Sequence, residues 1–296
     1  MDQVKEPKNY WGGNWTEEKL EAFEKYVDAY LTIMNAQKQK YNGWPTTIYF
    51  DGFAGSGTRY EKTNLELQEN KLIDIEQDSN VYQGSAERVL RLDKKFDYYY
   101  FVDNDKDAIE ELEEKLRESK LVTDNSFFIN DDVNNQIVEL VKILDNNKAA
   151  LVLLDPFGMQ IDWASIEKLK GKRVDLWILI PSGVIINRFL DRKGKLLFDK
   201  KLESYFGMKI DAIKNIFYTE QEVETLFGKE SITQKSTDSI NKIAAIYVEK
   251  LKNIFNQVTE TPLILYNTKN VAIYHFVFAS NNQTALKIAK QIIEKK

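Results

Sequence analysis

Thr46-Thr47-Ile48-Tyr49-Phe50-Asp51-Gly52-Phe53-Ala54-Gly55-Ser56-Gly57-Thr58 is the stretch that decides how this chain folds. Its first five residues are β-branched or aromatic and predict a strand; the glycines after them predict a tight loop. Such a loop turns the backbone sharply and brings it close to a ligand that a Cβ would exclude. The spacing is neither the G-x-G-x-x-G of a dinucleotide turn nor the G-K-S/T ending of a nucleotide P-loop. Upstream, Gly43-Trp44-Pro45 ends a helix over about residues 16–39. That helix opens on Thr16 with Glu17 and Glu18 in its first turn and carries Leu20, Phe23, Tyr26, Val27, Tyr30 and Leu31 at helical spacing. Downstream, strand signals recur at 98–102, 127–129, 150–154 and 176–180, alternating with helical stretches at 85–92, 106–119, 135–144 and 163–169. Continuous apolar runs of this kind are strands buried on both faces, hence a parallel sheet covered by helices on each side.

After Pro181 the pattern changes. Residues 183–260 are helical in period with no convincing strand, and the chain then closes on an antiparallel hairpin, 262–266 and 271–278, before a Lys-rich tail helix. The expected organisation is an N-terminal helical extension over 1–45, a core over 46–182 and 261–296, and a helical insertion over 183–260. Five parallel strands followed by an antiparallel hairpin resemble the seven-stranded, Rossmann-like α/β sheet of class I S-adenosylmethionine-dependent methyltransferases. A nicotinamide-binding domain normally adds its later strands in parallel, so the hairpin and the loop spacing both argue against a nicotinamide oxidoreductase.

Composition narrows the chemistry. The 296 residues include no Cys and one His, which removes disulfides, thiolate nucleophiles, cysteine zinc sites and any site needing several imidazoles; no metal site is expected. Hydrophobic residues make up 43% and aromatic residues 12%, enough for a real core. With 41 Lys plus Arg against 46 Asp plus Glu, the net charge is −5, so no broad basic face for a duplex is evident. The N-terminus has no apolar signal core, and no apolar run approaches the roughly 18 residues of a membrane span, so a cytoplasmic protein without membrane contact is expected.

Four strand ends carry candidate site residues. The first loop resembles the D-x-F-x-G-x-G loop of amino-methyltransferases through Asp51, Phe53, Gly55 and Gly57, with Gly52 and Ala54 between them; that resemblance places the loop behind the methionine part of the cofactor. Asp103 closes the second strand, where a carboxylate can accept both ribose hydroxyls; Asn104 follows it, and a helix cap is the competing role there. Asp131, Asp132 and Val133 end the third strand, where similar methyltransferases hold the adenine amino group, a solvated turn being the alternative. Asp155-Pro156-Phe157-Gly158 ends the fourth. Exocyclic base amines are poor nucleophiles because the lone pair is delocalised into the ring, and a carboxylate beside a proline carbonyl can hydrogen-bond the amine protons while an aromatic ring stacks on the base. The tetrapeptide resembles the Asp/Asn-Pro-Pro-Tyr/Phe signature of adenine-N6 and cytosine-N4 methyltransferases, and still more the Asp-Pro-Phe-Gly of tRNA guanine-N2 dimethyltransferases. At the start of the insertion Arg188, Arg192, Lys193 and Lys195 form a local basic cluster that either tracks a phosphate backbone or partner, or is a solvated face. His275 is assigned no role.

Trp15-Thr16-Glu17-Glu18-Lys19-Leu20, the loop at 49–57, Leu153 to Gly158 and Tyr274-His275-Phe276-Val277-Phe278-Ala279-Ser280 together resemble the three-Cys-motif partner protein family of bacteria. That family is methyltransferase-like and is named for an accompanying three-cysteine protein resembling radical S-adenosylmethionine enzymes. The resemblance implies S-adenosylmethionine as cofactor and the three-cysteine protein as partner, and it settles no substrate; methyl transfer to a base amine of DNA or RNA is the expectation from Asp155-Pro156-Phe157-Gly158. The alternative is a cofactor-binding, non-catalytic scaffold for the three-cysteine protein.

Overall fold

A computed structural model of the chain describes residues 15–57, 83–191, 194, 196–225 and 228–295. The chain begins with α1 (Trp15–Lys40), then β1 (Thr46–Asp51), α2 (Ser85–Arg91), β2 (Tyr98–Asp103), α3 (Lys106–Glu118), β3 (Ser126–Asn130), α4 (Val133–Ile143), β4 (Lys148–Leu154), α5 (Trp163–Glu167) and β5 (Val174–Ile180). A π-helical turn (Ser182–Ile186) runs into a short turn (Asn187–Phe189) and leads to α6 (Asp199–Phe206) and α7 (Ile210–Phe217). Then come β6 (Tyr218–Thr225), β7 (Gly228–Lys235), α8 (Ser239–Lys252), β8 (Gln257–Val258), β9 (Leu263–Tyr266), β10 (Ala272–Ser280) and α9 (Gln283–Ile293).

The sheet runs β3-β2-β1-β4-β5-β10, with β8 and β9 both on the outer edge of β10. Strands β1 to β5 pair in parallel, and β10 is antiparallel to β5 and to β8 and β9. This is the class I methyltransferase order expected from the sequence, with one difference. The sheet has eight strands instead of seven, because Thr259 breaks the outer edge strand in two. Its backbone N–H donates to the Phe278 carbonyl at 2.9 Å, and its hydroxyl accepts from the Phe278 N–H at 3.0 Å, so the side chain replaces a ladder partner.

Residues 183–260 differ more. They contain the antiparallel ribbon β6–β7, Tyr218 opposite Lys235, where a mainly helical insertion with no convincing strand was expected. The ribbon forms its own two-stranded sheet, separate from the core sheet.

The core lies between β1, β4, β5 and β10 and the helices over them; every residue of β5 is buried, as in a strand covered on both faces. Helix α1 buries Leu20, Phe23, Tyr26, Val27, Tyr30, Leu31 and Met34 at intervals of three and four. Tyr26 packs its ring 4.8 Å from Phe278 and 5.4 Å from Trp177, so the N-terminal extension is part of the core. At the sheet's lower end the enclosed Asp175 carboxylate accepts from Tyr26 Oη at 2.7 Å and from Ser280 Oγ at 2.5 Å, joining α1, β5 and β10. Burial pushes that carboxyl above its usual range.

Candidate active site

Strands β1 and β4 are neighbours while the chain goes from β1 to β2 on the other side, so the strand order reverses between them. In open α/β sheets a ligand sits in the crevice beyond the strand ends at such a point. The β1 loop reaches it because its backbone takes left-handed turns at Gly55 (φ +58°) and Gly57 (φ +65°). Gly55 has open space where a Cβ would stand, whereas a Cβ on Gly52 would lie 2.7 Å from both Leu154 and Val133. Gly52 therefore lets the loop close down on β4 and α4, and Gly55 leaves the crevice side open. Ala54 is buried and ties the loop to β2 by donating to the Val102 carbonyl at 3.0 Å; Phe53 is half-buried.

Asp51 does not present its carboxylate to that crevice. It is fully buried, accepting from Ser85 Oγ at 2.6 Å, Tyr49 Oη at 3.0 Å and the Phe53 N–H at 3.3 Å. Burial raises its pKa from 3.8 to about 6. These contacts make Asp51 a brace between the loop and α2. Asp103 is half-buried at the end of β2, and its oxygens accept from the Gly55 N–H at 2.8 Å and the Asp105 N–H at 2.9 Å. The competing cap role belongs to Asp105, which accepts from the N–H groups of Asp107 and Ala108. A carboxylate has about four lone-pair sites, so Asp103 keeps acceptor capacity. Asn104 is exposed beside it.

The third strand end reads differently from the adenine expectation. Asp132 caps α4 by accepting from the Asn134 N–H at 2.7 Å. Asp131 takes Gln136 Nε2 at 2.8 Å and Asn135 Nδ2 at 3.0 Å, and these hydrogen bonds hold its carboxyl below the usual range. Val133 is buried against Gly52. Both carboxylates serve the start of α4, the turn role that the sequence left as the alternative.

At the end of β4, Pro156 is buried while Phe157 is 68% exposed, a large ring held in solvent. Gly158 donates its N–H to Gln160 Oε1 at 2.9 Å, and a Cβ there would stand 3.0 Å from Ile185 Cδ1. Asp155 forms an ion pair with Lys19 on the first turn of α1. Sequence reading treated Lys19 only as part of a helix start and missed this contact. Residues 162 and 198–204 form a depression of about 500 Å³ lined by Asp162, Phe198, Asp199, Lys200, Lys201 and Ser204. Phe198 is half exposed and holds a left-handed backbone, φ +60°, uncommon for an aromatic residue. Arg188 is exposed on the turn after β5; Arg192, Lys193 and Lys195 lie outside the described residues.

His275, enclosed in β10, shares a hydrogen bond of 2.7 Å between its Nδ1 and Ser182 Oγ. Burial pushes its pKa down to about 4, so it is neutral near pH 7. Among the described residues there is no His/Cys/Asp/Glu group arranged to hold a metal, and no helix is long and apolar enough to cross a membrane.

No family model matches the chain, and no curated protein matches it significantly. Among solved structures, it is similar to protein LPL1258 of Legionella pneumophila at 14% identity and TM-score 0.37, over 89% of this chain and 97% of that one. It is similar to an rRNA methylase of Streptococcus thermophilus at 14% identity and TM-score 0.30, over 79% and 99%. It is also similar to the magnesium protoporphyrin IX methyltransferase of Synechocystis with bound SAM at 12% identity and TM-score 0.29, over 79% and 87%. Likenesses at these scores carry no argument about this chain, and its assignment to the class I methyltransferase fold rests on the strand order and the terminal antiparallel pair.

Proposed function

We propose that this chain is an S-adenosylmethionine-dependent methyltransferase acting on an exocyclic amine of a nucleic-acid base, in company with a three-cysteine-motif protein as in the family it resembles. One observation carries the reading. A carboxylate, a proline and an exposed aromatic ring, Asp155 to Phe157, stand at the end of β4 next to the glycine loop of β1, on the two sides of the strand-order reversal.

The residues present fit the cofactor. Gly55 offers backbone with no Cβ on the open side, Gly52 closes the loop onto β4, and Asp103 has acceptor capacity for ribose hydroxyls. When bound, the cofactor supplies a methyl group on a sulfonium: the amine lone pair forms the new N–C bond, the S–C pair stays on sulfur, and the extra proton leaves the nitrogen for water. Asp155 and the Pro156 carbonyl accept the amine hydrogens, which turns the nitrogen lone pair out of the ring and toward the methyl. Phe157 stacks on the base, and Gly158 lets the turn that carries it pack against Ile185. These contacts act on the reacting geometry and not on the cofactor.

The scaffold reading has one observation in its favour: an oxygen of Asp155 is already held by Lys19. Transfer of label from methyl-labelled S-adenosylmethionine to RNA or DNA, with and without the three-cysteine protein, separates the two. Asp155→Ala should keep cofactor affinity and lose transfer. Label reaching only protein or small molecules would refute the base-amine assignment, and NAD binding without methyl-donor binding would refute the cofactor.

A further inference from the structure

We infer that Lys19 is a positioning residue of this site: its ammonium holds one oxygen of Asp155 and so aims the other at the acceptor amine. The inference rests on the base-amine reading above and deepens it. Lys19 is 3% exposed and Asp155's side chain 22%, so the pair lies at the inner wall of the crevice, with the carboxylate reaching solvent and the ammonium behind it. The Lys19 ammonium contacts Oδ2, and it stands 5.6 Å from the centre of the Trp15 ring, which itself stacks on Tyr274 at 5.0 Å.

The helix that carries Lys19 is fixed independently of the site. Arg88 on α2 grips Glu17, close to Lys19 on α1, through both carboxylate oxygens, at 2.6 and 2.8 Å, and reaches Glu24 two turns further at 3.1 Å. Helix α2 is in turn joined to the β1 loop where Ser85 donates to Asp51. The glycine loop and the Asp155 turn are therefore linked through α2 and α1, by the chain Asp51, Ser85, Arg88, Glu17 and Lys19. Lower down, Tyr26 on Asp175 and Lys38 on Asp97 pin the same helix. A lone carboxylate beside solvent rotates about its Cβ–Cγ bond and offers either oxygen. An ammonium fixed on a braced helix removes that freedom.

The pairing also commits this site to a carboxylate. An Asn at 155 has one acceptor and one donor end. Turned so that its oxygen meets Lys19, it presents an amide N–H to the amine, donor against donor; turned the other way, it leaves a buried ammonium facing an amide N–H. Without the ammonium, the Asn oxygen is free to face the amine. Asp155→Asn should therefore fail because of Lys19, and Lys19→Met should relieve it.

The test uses the full chain, with and without the three-cysteine protein, with methyl-labelled S-adenosylmethionine and enzymatically synthesised, unmodified RNA and DNA, comparing wild type, Lys19→Met, Lys19→Arg, Asp155→Asn and the double variant Lys19→Met/Asp155→Asn. Lys19→Met should lower kcat by about ten- to a hundredfold, the scale of a displaced positioning group, with cofactor affinity by calorimetry unchanged. Lys19→Arg should recover part of that loss, and the double variant should exceed Asp155→Asn. Full kcat in Lys19→Met, or a double variant no better than Asp155→Asn, would overturn the inference while leaving the base-amine reading intact. No transfer to nucleic acid by the wild type would overturn that reading and the inference with it.

Discussion

Replacing Asp51 by Asn should change how stability depends on pH, and the structure sets the size of the change. Asp51 is fully enclosed, and burial raises its pKa from 3.8 to about 6. The folded protein therefore keeps a proton that the unfolded chain has lost, so stability falls as pH rises between these values. At about 1.4 kcal/mol per pKa unit, the ionised carboxylate costs on the order of 3 kcal/mol at neutral pH. Asn carries no such charge. Its oxygen can still accept from Tyr49 and Ser85, and the loss is the 3.3 Å contact from the Phe53 N–H, which would face an amide donor and cost about 1 kcal/mol. The variant should be about 0.5 kcal/mol less stable than wild type near pH 4 and about 2 kcal/mol more stable near pH 7. His275 works in the opposite sense. Its folded pKa is lowered from 6.5 to about 4, so it contributes stability that is lost as pH falls through that window, again by about 3 kcal/mol. In the wild type these two slopes oppose each other; Asp51→Asn removes the first and leaves that of His275, together with those of the carboxylates common to both proteins, Asp175 among them. Urea unfolding at several pH values from about 4 to 7 measures it, and the remaining carboxylates drop out of the difference between the two proteins. A difference that stays constant with pH would refute the assignment of a buried, reluctant charge to Asp51.

Replacing His275 by Asn should expose the opposite slope, stability falling as pH rises from about 4 to 6, in the same unfolding assay. Gly183→Ala would place a Cβ 2.1 Å from the Ala272 carbonyl oxygen, a backbone atom that cannot move aside, and should lower stability by about 3 kcal/mol in urea unfolding. Phe157→Ala should leave stability within about 0.5 kcal/mol, because the ring is mostly in solvent. If the ring stacks on a base, the same variant should raise KM for nucleic acid by roughly five- to a hundredfold in the labelled-transfer assay. Asp103→Ala should weaken S-adenosylmethionine binding by calorimetry at least tenfold, about 1.4 kcal/mol, since it removes the anchor of Gly55 and, with it, the proposed acceptor for the ribose hydroxyls.

The parallel half of the sheet was legible because burial on both faces leaves a continuous apolar run in the sequence. Leu176 to Ile180 is one, and it lies in a strand whose seven residues are all buried. The ribbon β6–β7 left no such trace. Tyr218-Thr219-Glu220-Gln221-Glu222-Val223-Glu224-Thr225 sets four strand-favouring residues among three Glu and one Gln and contains no apolar run, and Ile232 across from it is 47% exposed. Two strands that form a sheet of their own need no alternating apolar face against a core, so neither period appears. The two-residue β8 is set by Thr259 and by its partner β10, which no local pattern encodes.

The glycine loop and the strand-end carboxylates were legible as linear motifs. What those carboxylates do was not, because their partners are far away in sequence. Ser85 meets Asp51 across 34 residues, Ser182 meets His275 across 93, and Lys19 meets Asp155 across 136. Lys19 nonetheless left a signal. It stands on the stripe Thr16, Lys19, Phe23, Tyr26, Tyr30 that α1 turns toward the core, all of them buried. A cation on an apolar stripe requires an anion within reach, since an unpaired buried charge is far more costly than a buried pair. Among the described residues the other buried carboxylates are engaged: Asp51 by Ser85 and Tyr49, Glu87 by Arg91 and Lys115, Asp175 by Tyr26 and Ser280. The remaining half-buried carboxylate at the crevice that meets the first turn of α1 is Asp155, so an apparently structural lysine in the N-terminal helix points to the residue on which the proposed chemistry depends.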